Sequence, residues 1–147
     1  MNGRAIFRQE FQVKGGDFAK AGTVACRIKE LVKEIGLNAQ VVRRVAIASY
    51  EAEMNVIMYA SEARVVLAVS PKEVRITVDD RGPGIPDIKQ AMTEGYSPAT
   101  PEMRELGFGA GMGLPNIKKN ADAFRITSTV GHGTHLDIRI QTNGHKP

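Results

Sequence analysis

Three groups of residues have the types and the spacing to do chemistry. Glu51 and Asn55 stand four residues apart in a helical pattern, so their side chains share one face. Taken alone, this pair is better explained as a solvated helix edge than as a base with a Mg²⁺ ligand. Asp80 ends an apolar strand and is followed by Gly82 and Gly84. Further on, glycines recur at alternate positions just before an expected helix, at Gly107, Gly109, Gly111 and Gly113. These features suit a nucleotide, since they offer a carboxylate for the base, free backbone amides for phosphates and oxygen ligands for Mg²⁺.

The strand that precedes Asp80 indicates which of two adjacent aspartates points inward. Its buried face is set by the alternating residues Val74, Ile76 and Val78. Asp80 continues that face, whereas Asp79 falls on the other side. An inward carboxylate needs a hydrogen-bond donor, and an adenine amino group would serve. An Asx turn onto the Gly82 or Gly84 amide explains Asp80 equally well, and both glycines suit a tight turn as readily as a flat ligand.

The glycine run and Thr134 extend the candidate site. Four alternating glycines cost backbone entropy, and their free amides next to a helix start favour phosphate binding. The run is not a P-loop, because no Gly-Lys-Ser/Thr follows, and it is not a Rossmann fingerprint, because no strand leads directly into it. Thr134 is in phase with Leu136 and Ile138, so its hydroxyl is expected to point inward like Asp80. It either supports Asp80 or a bound base, or is an ordinary strand threonine.

Apolar periodicity predicts the elements that position these residues. Strands are expected over residues 5–13, 65–69, 74–78, 124–130 and 136–140, and helices over 18–35, 38–59 and 114–121. Asp17 and Asn38 are the expected caps of the first two helices. The second helix is expected to direct Val41, Val45, Ala48 and Ala52 inward and Arg43, Arg44 and Glu53 outward. The predicted fold is an α/β (α+β) two-layer sandwich, with a mixed, mostly antiparallel sheet and helices on one face.

Size and composition predict one compact soluble domain over residues 1–147, with a flexible tail over 142–147. The 147 residues are 42% hydrophobic and 24% charged, which is ordinary for a globular protein. Cys26 is the only cysteine and is expected to be buried in the first helix. No signal peptide or membrane span is recognisable, so the cytoplasm is expected. The net charge of +4 is spread along the chain and gives little support to nucleic-acid binding.

The order of these motifs resembles the gyrase, heat-shock chaperone, histidine kinase and mismatch-repair (GHKL) ATPases, which share a Bergerat-type ATP-binding fold. Glu51 and Asn55 are similar to the N box of that superfamily, and the segment from Asp80 to Gly84 is similar to its D-x-G-x-G box. The segment from Gly109 to Gly113 looks like its G-x-G-x-G box, and Gly133-Thr134 like its final polar box. Within the superfamily the chain most resembles the small anti-sigma-factor serine/threonine kinases, especially their switch-kinase branch.

The resemblance implies a role for each matched residue. Asp80 would bind the adenine amino group with help from Thr134, Asn55 would hold Mg²⁺, and Glu51 would be the catalytic base. The segment 85–106 would be a lid over the nucleotide, with an unusually long polar stretch over 97–105. The other nucleotide contacts implied are Gly82, Gly84, Ile85, Gly107, Gly109, Ala110, Gly111, Met112, Gly113 and Leu114.

The resemblance also implies ATP and Mg²⁺ as cofactors and a STAS-domain anti-sigma antagonist or scaffold protein as the partner. A sigma factor or a downstream phosphatase is a further partner to consider, and related kinases often form homodimers. No nucleic-acid or membrane partner is expected.

Two other functions share the nucleotide motifs. One is a non-catalytic, anti-sigma-like module that uses nucleotide to choose partners, and Glu51 argues against it because a pure binder needs no carboxylate there. The other is a detached histidine-kinase catalytic domain, which is disfavoured because no phosphoacceptor helical hairpin precedes the domain.

Overall fold

The computed structural model describes residues 5–93 and 113–143. In chain order its elements are β1 (Phe7–Lys14), a 3₁₀ helix (Phe18–Lys20), α1 (Thr23–Ile35), α2 (Ala39–Tyr59), β2 (Glu62–Val69), β3 (Glu73–Arg81), α3 (Ile88–Ala91), α4 (Gly113–Asn120), β4 (Ala123–Thr129) and β5 (Gly133–Gln141). The predicted helices and strands are therefore present, with shifts at their ends.

The strands form one sheet in the order β1-β2-β3-β5-β4. Every neighbouring pair in the described part of the chain is antiparallel, so the mixed pairing expected from the sequence is not found there. The two expected hairpins, β2–β3 and β4–β5, are both confirmed. The second hairpin places β5, rather than β4, against β3, which brings the ends of β3 and β5 together.

The core lies between one face of this sheet and the helices, so the predicted two-layer sandwich is confirmed. Along β3 buried and accessible residues alternate, with Val74, Ile76 and Val78 almost fully buried. The inward stripe predicted for α2 is also buried: Val41, Val45, Ala48 and Ala52. Asn38 caps this helix as expected, because its Oδ1 accepts a hydrogen bond from the Val41 amide at 2.9 Å.

The first long helix begins later than the sequence suggested. Asp17 makes no side-chain cap and precedes only the short 3₁₀ helix. Gly22 then takes a φ of 93°, which interrupts the helical path, and α1 starts at Thr23. The helix start is stabilised from outside, since Glu53 accepts hydrogen bonds from the amides of Gly22, Val24 and Ala25. A carboxylate there also interacts favourably with the positive end of the helix dipole.

The outward face predicted for α2 is wrong at two of its three residues. Arg44 is 6% exposed and Glu53 is 2% exposed. Both faces of α2 are covered, because α1 packs on the side that carries Glu53 and α4 on another side. Arg44 pairs with Asp122 at 2.8 Å and donates to the Asn120 carbonyl at 2.9 Å. Only Arg43 remains exposed as predicted.

Three smaller expectations need correction or restriction. Cys26 is exposed, because it follows Ala25 on α1 and so lies off the buried stripe. Val130 is 62% exposed and lies in the β4–β5 turn instead of pairing with β5. Thr142, where the tail was expected to begin, hydrogen bonds to the carbonyls of Pro71 and Lys72. Residues 144–147 lie outside the described part.

Among the residues described, no helix is long and apolar enough to cross a bilayer.

Candidate active site

Asp80 points inward at the end of β3, as strand phase predicted. Its Oδ1 accepts a hydrogen bond from the Thr134 amide at 2.9 Å, and its other carboxylate oxygen has no hydrogen-bond partner among the described residues. Burial raises the pKa of the Asp80 carboxyl above its usual value, the Thr134 hydrogen bond partly opposes this, and the nearby charge of Asp79 adds to the rise. Asp79 lies on the opposite face, where it contacts His135 Nδ1 at 2.5 Å.

A pair of hydroxyl groups supports this end of the site. Thr134 Oγ1 and Ser128 Oγ lie 2.9 Å apart, and the Ile85 amide donates to Ser128 Oγ at 2.7 Å. Ser128 thereby links the β4–β5 hairpin to the chain that leaves β3. Sequence reasoning missed Ser128, although its pairing opposite Thr134 follows from the hairpin register. The Ile85 side chain itself packs against the core.

The glycines after β3 are explained by close contacts with neighbouring backbone. Gly84 has a φ of 77°, and a Cβ there would stand 2.5 Å from the Thr129 carbonyl oxygen. A Cβ at Gly82 would stand 3.1 Å from Ala60 Cα, at the end of α2. The tight-turn interpretation is therefore sufficient for Gly84, while Gly82 also brings the Asp80 end of the site against α2.

Glu51, Asn55 and Gly113 meet at the other end of the site. A Cβ added to Gly113 would stand 3.4 Å from Asn55 Oδ1 and 3.8 Å from Glu51 Oε1. Glu51 Oε2 accepts a hydrogen bond from Asn116 Nδ2 at 2.9 Å, which fixes the carboxylate. The Asn55 side chain is partly buried and has no hydrogen-bond partner among the described residues. Two oxygen-bearing side chains thus face the first residue of α4.

Helix α2 joins the two ends of the site. Ala60, which caps its end, lies against Gly82, and Asn55 and Glu51 stand five and nine residues earlier. At a rise of about 1.5 Å per residue, Asn55 is about 7.5 Å and Glu51 about 13.5 Å from Ala60 along the helix axis. A molecule with a flat polar base at one end and anionic groups at the other would match this arrangement.

Comparison with known proteins identifies the family. A model of the histidine kinase-like ATPase domain matches residues 17–140. The chain belongs to this family. The curated relatives include the serine/threonine-protein kinase RsbT of Bacillus subtilis (strain 168), which is 31% identical over 112 residues, or 74% of this chain and 78% of RsbT. The expected membership of the anti-sigma-factor serine/threonine kinases is thereby confirmed.

Two anti-sigma F factors and one solved structure agree with this family assignment. The factor of Pasteuria penetrans is 37% identical over 82 residues, 54% of this chain and 51% of its own length. That of Clostridium novyi (strain NT) is 35% identical over 68 residues, 46% and 44% respectively. The chain therefore spans about half the length of these two relatives. A histidine kinase domain from the Erythrobacter litoralis EL346 blue-light activated kinase shares the fold, with a TM-score of 0.51 at 22% identity over 84% of this chain and 61% of its own.

The family's remaining motif residues are only partly visible in the structure. Gly107, Gly109, Ala110, Gly111 and Met112 lie outside the described residues, as does most of the expected lid, including its polar stretch over 97–105. Residues 85–93 belong to the described part and contain α3, which Asp87 caps through the Gln90 amide at 3.0 Å. Leu114 is 8% exposed and packs in the core, so a contact with nucleotide would come from its main chain.

The residues present fit a magnesium ion that is held mainly by a nucleotide. No group of three or more His, Cys, Asp or Glu side chains in residues 5–93 and 113–143 could hold a metal ion by itself. Asn55 Oδ1 is the oxygen that approaches Gly113 most closely. Mg²⁺ is usually bound by one or two protein oxygens together with substrate phosphates and waters. The single oxygen that Asn55 offers would therefore be enough as the protein's contribution to the coordination.

Proposed function

We propose that this chain is an ATP-dependent protein kinase that transfers the γ-phosphoryl group of ATP to a serine or threonine of a STAS-domain partner. The bond between the γ-phosphorus and the bridging oxygen breaks, and a bond to the acceptor oxygen forms. The acceptor's hydroxyl proton goes to Glu51, and ADP leaves. Phosphoryl transfer depends mostly on positioning and charge stabilisation, so a base, a metal ligand and backbone amides can suffice.

The convergence of Glu51, Asn55 and Gly113 is the observation that carries this proposal. A carboxylate oxygen and an amide oxygen both approach the first residue of α4, while Asn116 holds the second carboxylate oxygen. Phosphates at the start of α4 would meet free amides and the positive end of the helix dipole. In this arrangement Glu51 would receive the acceptor proton, and Asn55 would hold a Mg²⁺ ion that neutralises phosphate charge.

The base of the nucleotide is assigned to the Asp80 end. The carboxylate oxygen that Thr134 leaves free would accept a hydrogen bond from the adenine amino group. Thr134 and Ser128 hydroxyls would support this contact, directly or through a water. With these assignments, the base and the phosphates would lie at opposite ends of one site.

The partner is inferred from the relatives. RsbT is named as a serine/threonine-protein kinase and two further relatives as anti-sigma F factors, so a regulatory protein acceptor is favoured over a small molecule. The STAS domain is the acceptor that the family resemblance implies. A sigma factor, a phosphatase and a second copy of this chain are further partners that the same resemblance suggests.

The test is transfer of radioactive γ-phosphate from Mg-ATP to purified STAS-domain proteins encoded near this chain's gene. Glu51→Gln keeps the shape of the side chain and an acceptor for Asn116 but removes the base. We expect it to slow transfer by about a hundredfold or more, since a general base contributes about 10²–10⁴-fold. ATP affinity in a calorimetric titration should stay close to that of the wild type.

Glu34→Gln is the matched control, because Glu34 is an exposed carboxylate on α1 away from the site. It should transfer phosphate at the wild-type rate. Wild-type protein that binds ATP but labels no STAS-domain protein would favour the non-catalytic binding module. Equal transfer by the Glu51→Gln protein would remove Glu51 from the mechanism.

A further inference from the structure

An open groove of about 450 Å³ lies between α2 and α4. Its lining residues are Ala46, Ile47, Tyr50, Glu51, Asn116 and Asn120. The α2 side is mostly apolar and the α4 side carries two amides. Glu51 is the only charged side chain among these lining residues, and it stands at the end of the groove nearest Asn55 and Gly113.

The position of Glu51 gives the groove a role in the proposed reaction. One side of its carboxylate faces Gly113 and Asn55, where the phosphates are assigned. The residues on its other side line the groove, and an acceptor hydroxyl has to reach the carboxylate within hydrogen-bond distance. We propose that the groove receives the serine- or threonine-bearing segment of the protein acceptor. This inference rests on the proposed kinase function.

The dimensions of the groove fit a short extended segment. From Arg43, on the same face of α2, to Glu51 the helix advances about 12 Å at 1.5 Å per residue. An extended chain covers that length with about four residues at about 3.3 Å each. Asn116 Nδ2 is engaged by Glu51, and Asn120 Nδ2 by the Asn116 carbonyl. Within the described part of the chain neither amide oxygen has a hydrogen-bond partner, so both can accept hydrogen bonds from the acceptor's backbone.

The charges around the groove favour an acidic acceptor segment. Arg43 is exposed and precedes Ile47 by four residues, so it stands at the outer end of the same face. The outer end of the groove thus presents a cation to its occupant. Carboxylates beside the acceptor serine or threonine would complement this cation and speed association at low salt.

The test uses the STAS-domain protein that the wild-type chain phosphorylates. Ala46→Trp fills part of the groove and leaves Glu51, Asn55 and Asp80 unsubstituted. We expect the KM for the protein acceptor to rise about tenfold or more, because a steric block opposes acceptor binding directly. Arg43→Glu should also raise that KM, and should flatten the increase in KM with salt that the wild type is expected to show. The dissociation constant for ATP should match the wild type in both variants.

The control for bulk is Ala123→Trp, at an exposed alanine on β4. It should leave the acceptor KM and the ATP affinity unchanged. If the wild type transfers phosphate and Ala46→Trp has the wild-type KM, the groove inference is wrong while the kinase proposal stands. A loss of ATP affinity in Ala46→Trp would show that nucleotide occupies the groove, and a change in its sedimentation mass would show that a second copy does. Absence of transfer by the wild type would overturn the kinase proposal itself.

Discussion

Asp80 is a partly buried carboxylate whose environment shifts its pKa. Burial raises its pKa, the Thr134 amide offsets part of the rise, and Asp79 adds to it. The folded protein therefore holds the Asp80 proton more tightly than the unfolded chain does. Stability from this group is greatest below the unfolded pKa, and it is lost as pH rises through the higher folded pKa.

Nucleotide binding should respond to pH in the opposite direction. An ionised Asp80 accepts a hydrogen bond from the adenine amino group, so ATP affinity should increase as pH rises through the raised pKa and level off above it. Calorimetric titrations between about pH 4 and 7 would measure this, since ordinary carboxyl groups titrate near the lower limit. Asp80→Asn should bind ATP more weakly and lose most of the slope. An unchanged slope in that variant would contradict the adenine assignment.

Strand phase was sufficient to predict which aspartate points inward, because the two-residue period leaves no alternative once Val74, Ile76 and Val78 are buried. Asn116 could not be predicted in the same way, because its contact with Glu51 joins two helices whose relative placement depends on packing. A single asparagine carries no signal for such a contact. Ser128 differs, since it lies opposite Thr134 in the predicted β4–β5 hairpin and its contact follows from the hairpin register.

Among the elements, α2 is the helix whose surroundings differ from those that its sequence pattern predicts. A stripe of apolar residues predicts one buried face, but α1 and α4 cover further sides of α2. Glu53 and Arg44 are charged residues that look outward in the pattern and yet are buried, because each finds a partner on a neighbouring element. The periodicity of apolar residues carries no information about charged ones. It therefore does not predict a carboxylate that is buried at the start of a neighbouring helix, or a buried ion pair.

The ion pair of Arg44 and Asp122 should stabilise the position of α4. Asp122 Oδ2 accepts from Arg44 at 2.8 Å and from the Gln141 amide at 2.7 Å, which ties α2 to β5 just after α4 ends. Arg44 Nη1 is buried and already lacks a partner among the described residues. Removing Asp122 would leave the buried charge of this guanidinium without its carboxylate partner.

Asp122→Ala should therefore lower the free energy of unfolding by about 3–5 kcal/mol, the usual cost of breaking a buried pair from one side. Arg44→Met should cost clearly less, because an apolar side chain of similar length replaces a charge that is expensive to bury. Urea denaturation of both variants measures the difference. Equal destabilisation would mean that the pair itself, rather than the unpaired guanidinium, determines the cost.

For the whole molecule, the family and the sandwich architecture were recoverable from the sequence because four short motifs and the apolar periods agree with one another. The site assigned to ATP draws on α2, the end of β3, the start of α4 and the β4–β5 hairpin. These elements are far apart in the chain, and they include α2 and α4, which pack against each other. A ligand that contacts all of them binds only when they are assembled.

Mg-ATP should accordingly stabilise the entire domain against unfolding. A ligand present at a hundred times its dissociation constant adds about 2.7 kcal/mol when it binds only the folded state. We expect a rise in Tm with Mg-ATP, a smaller rise when EDTA removes the metal, and almost none for Asp80→Asn at the same ATP concentration. Glu34→Gln, which alters an exposed carboxylate on α1, should show the wild-type rise. A wild-type rise in Tm for Asp80→Asn would mean that the nucleotide binds without the contact at the end of β3. The two ends of the proposed site would then not act together.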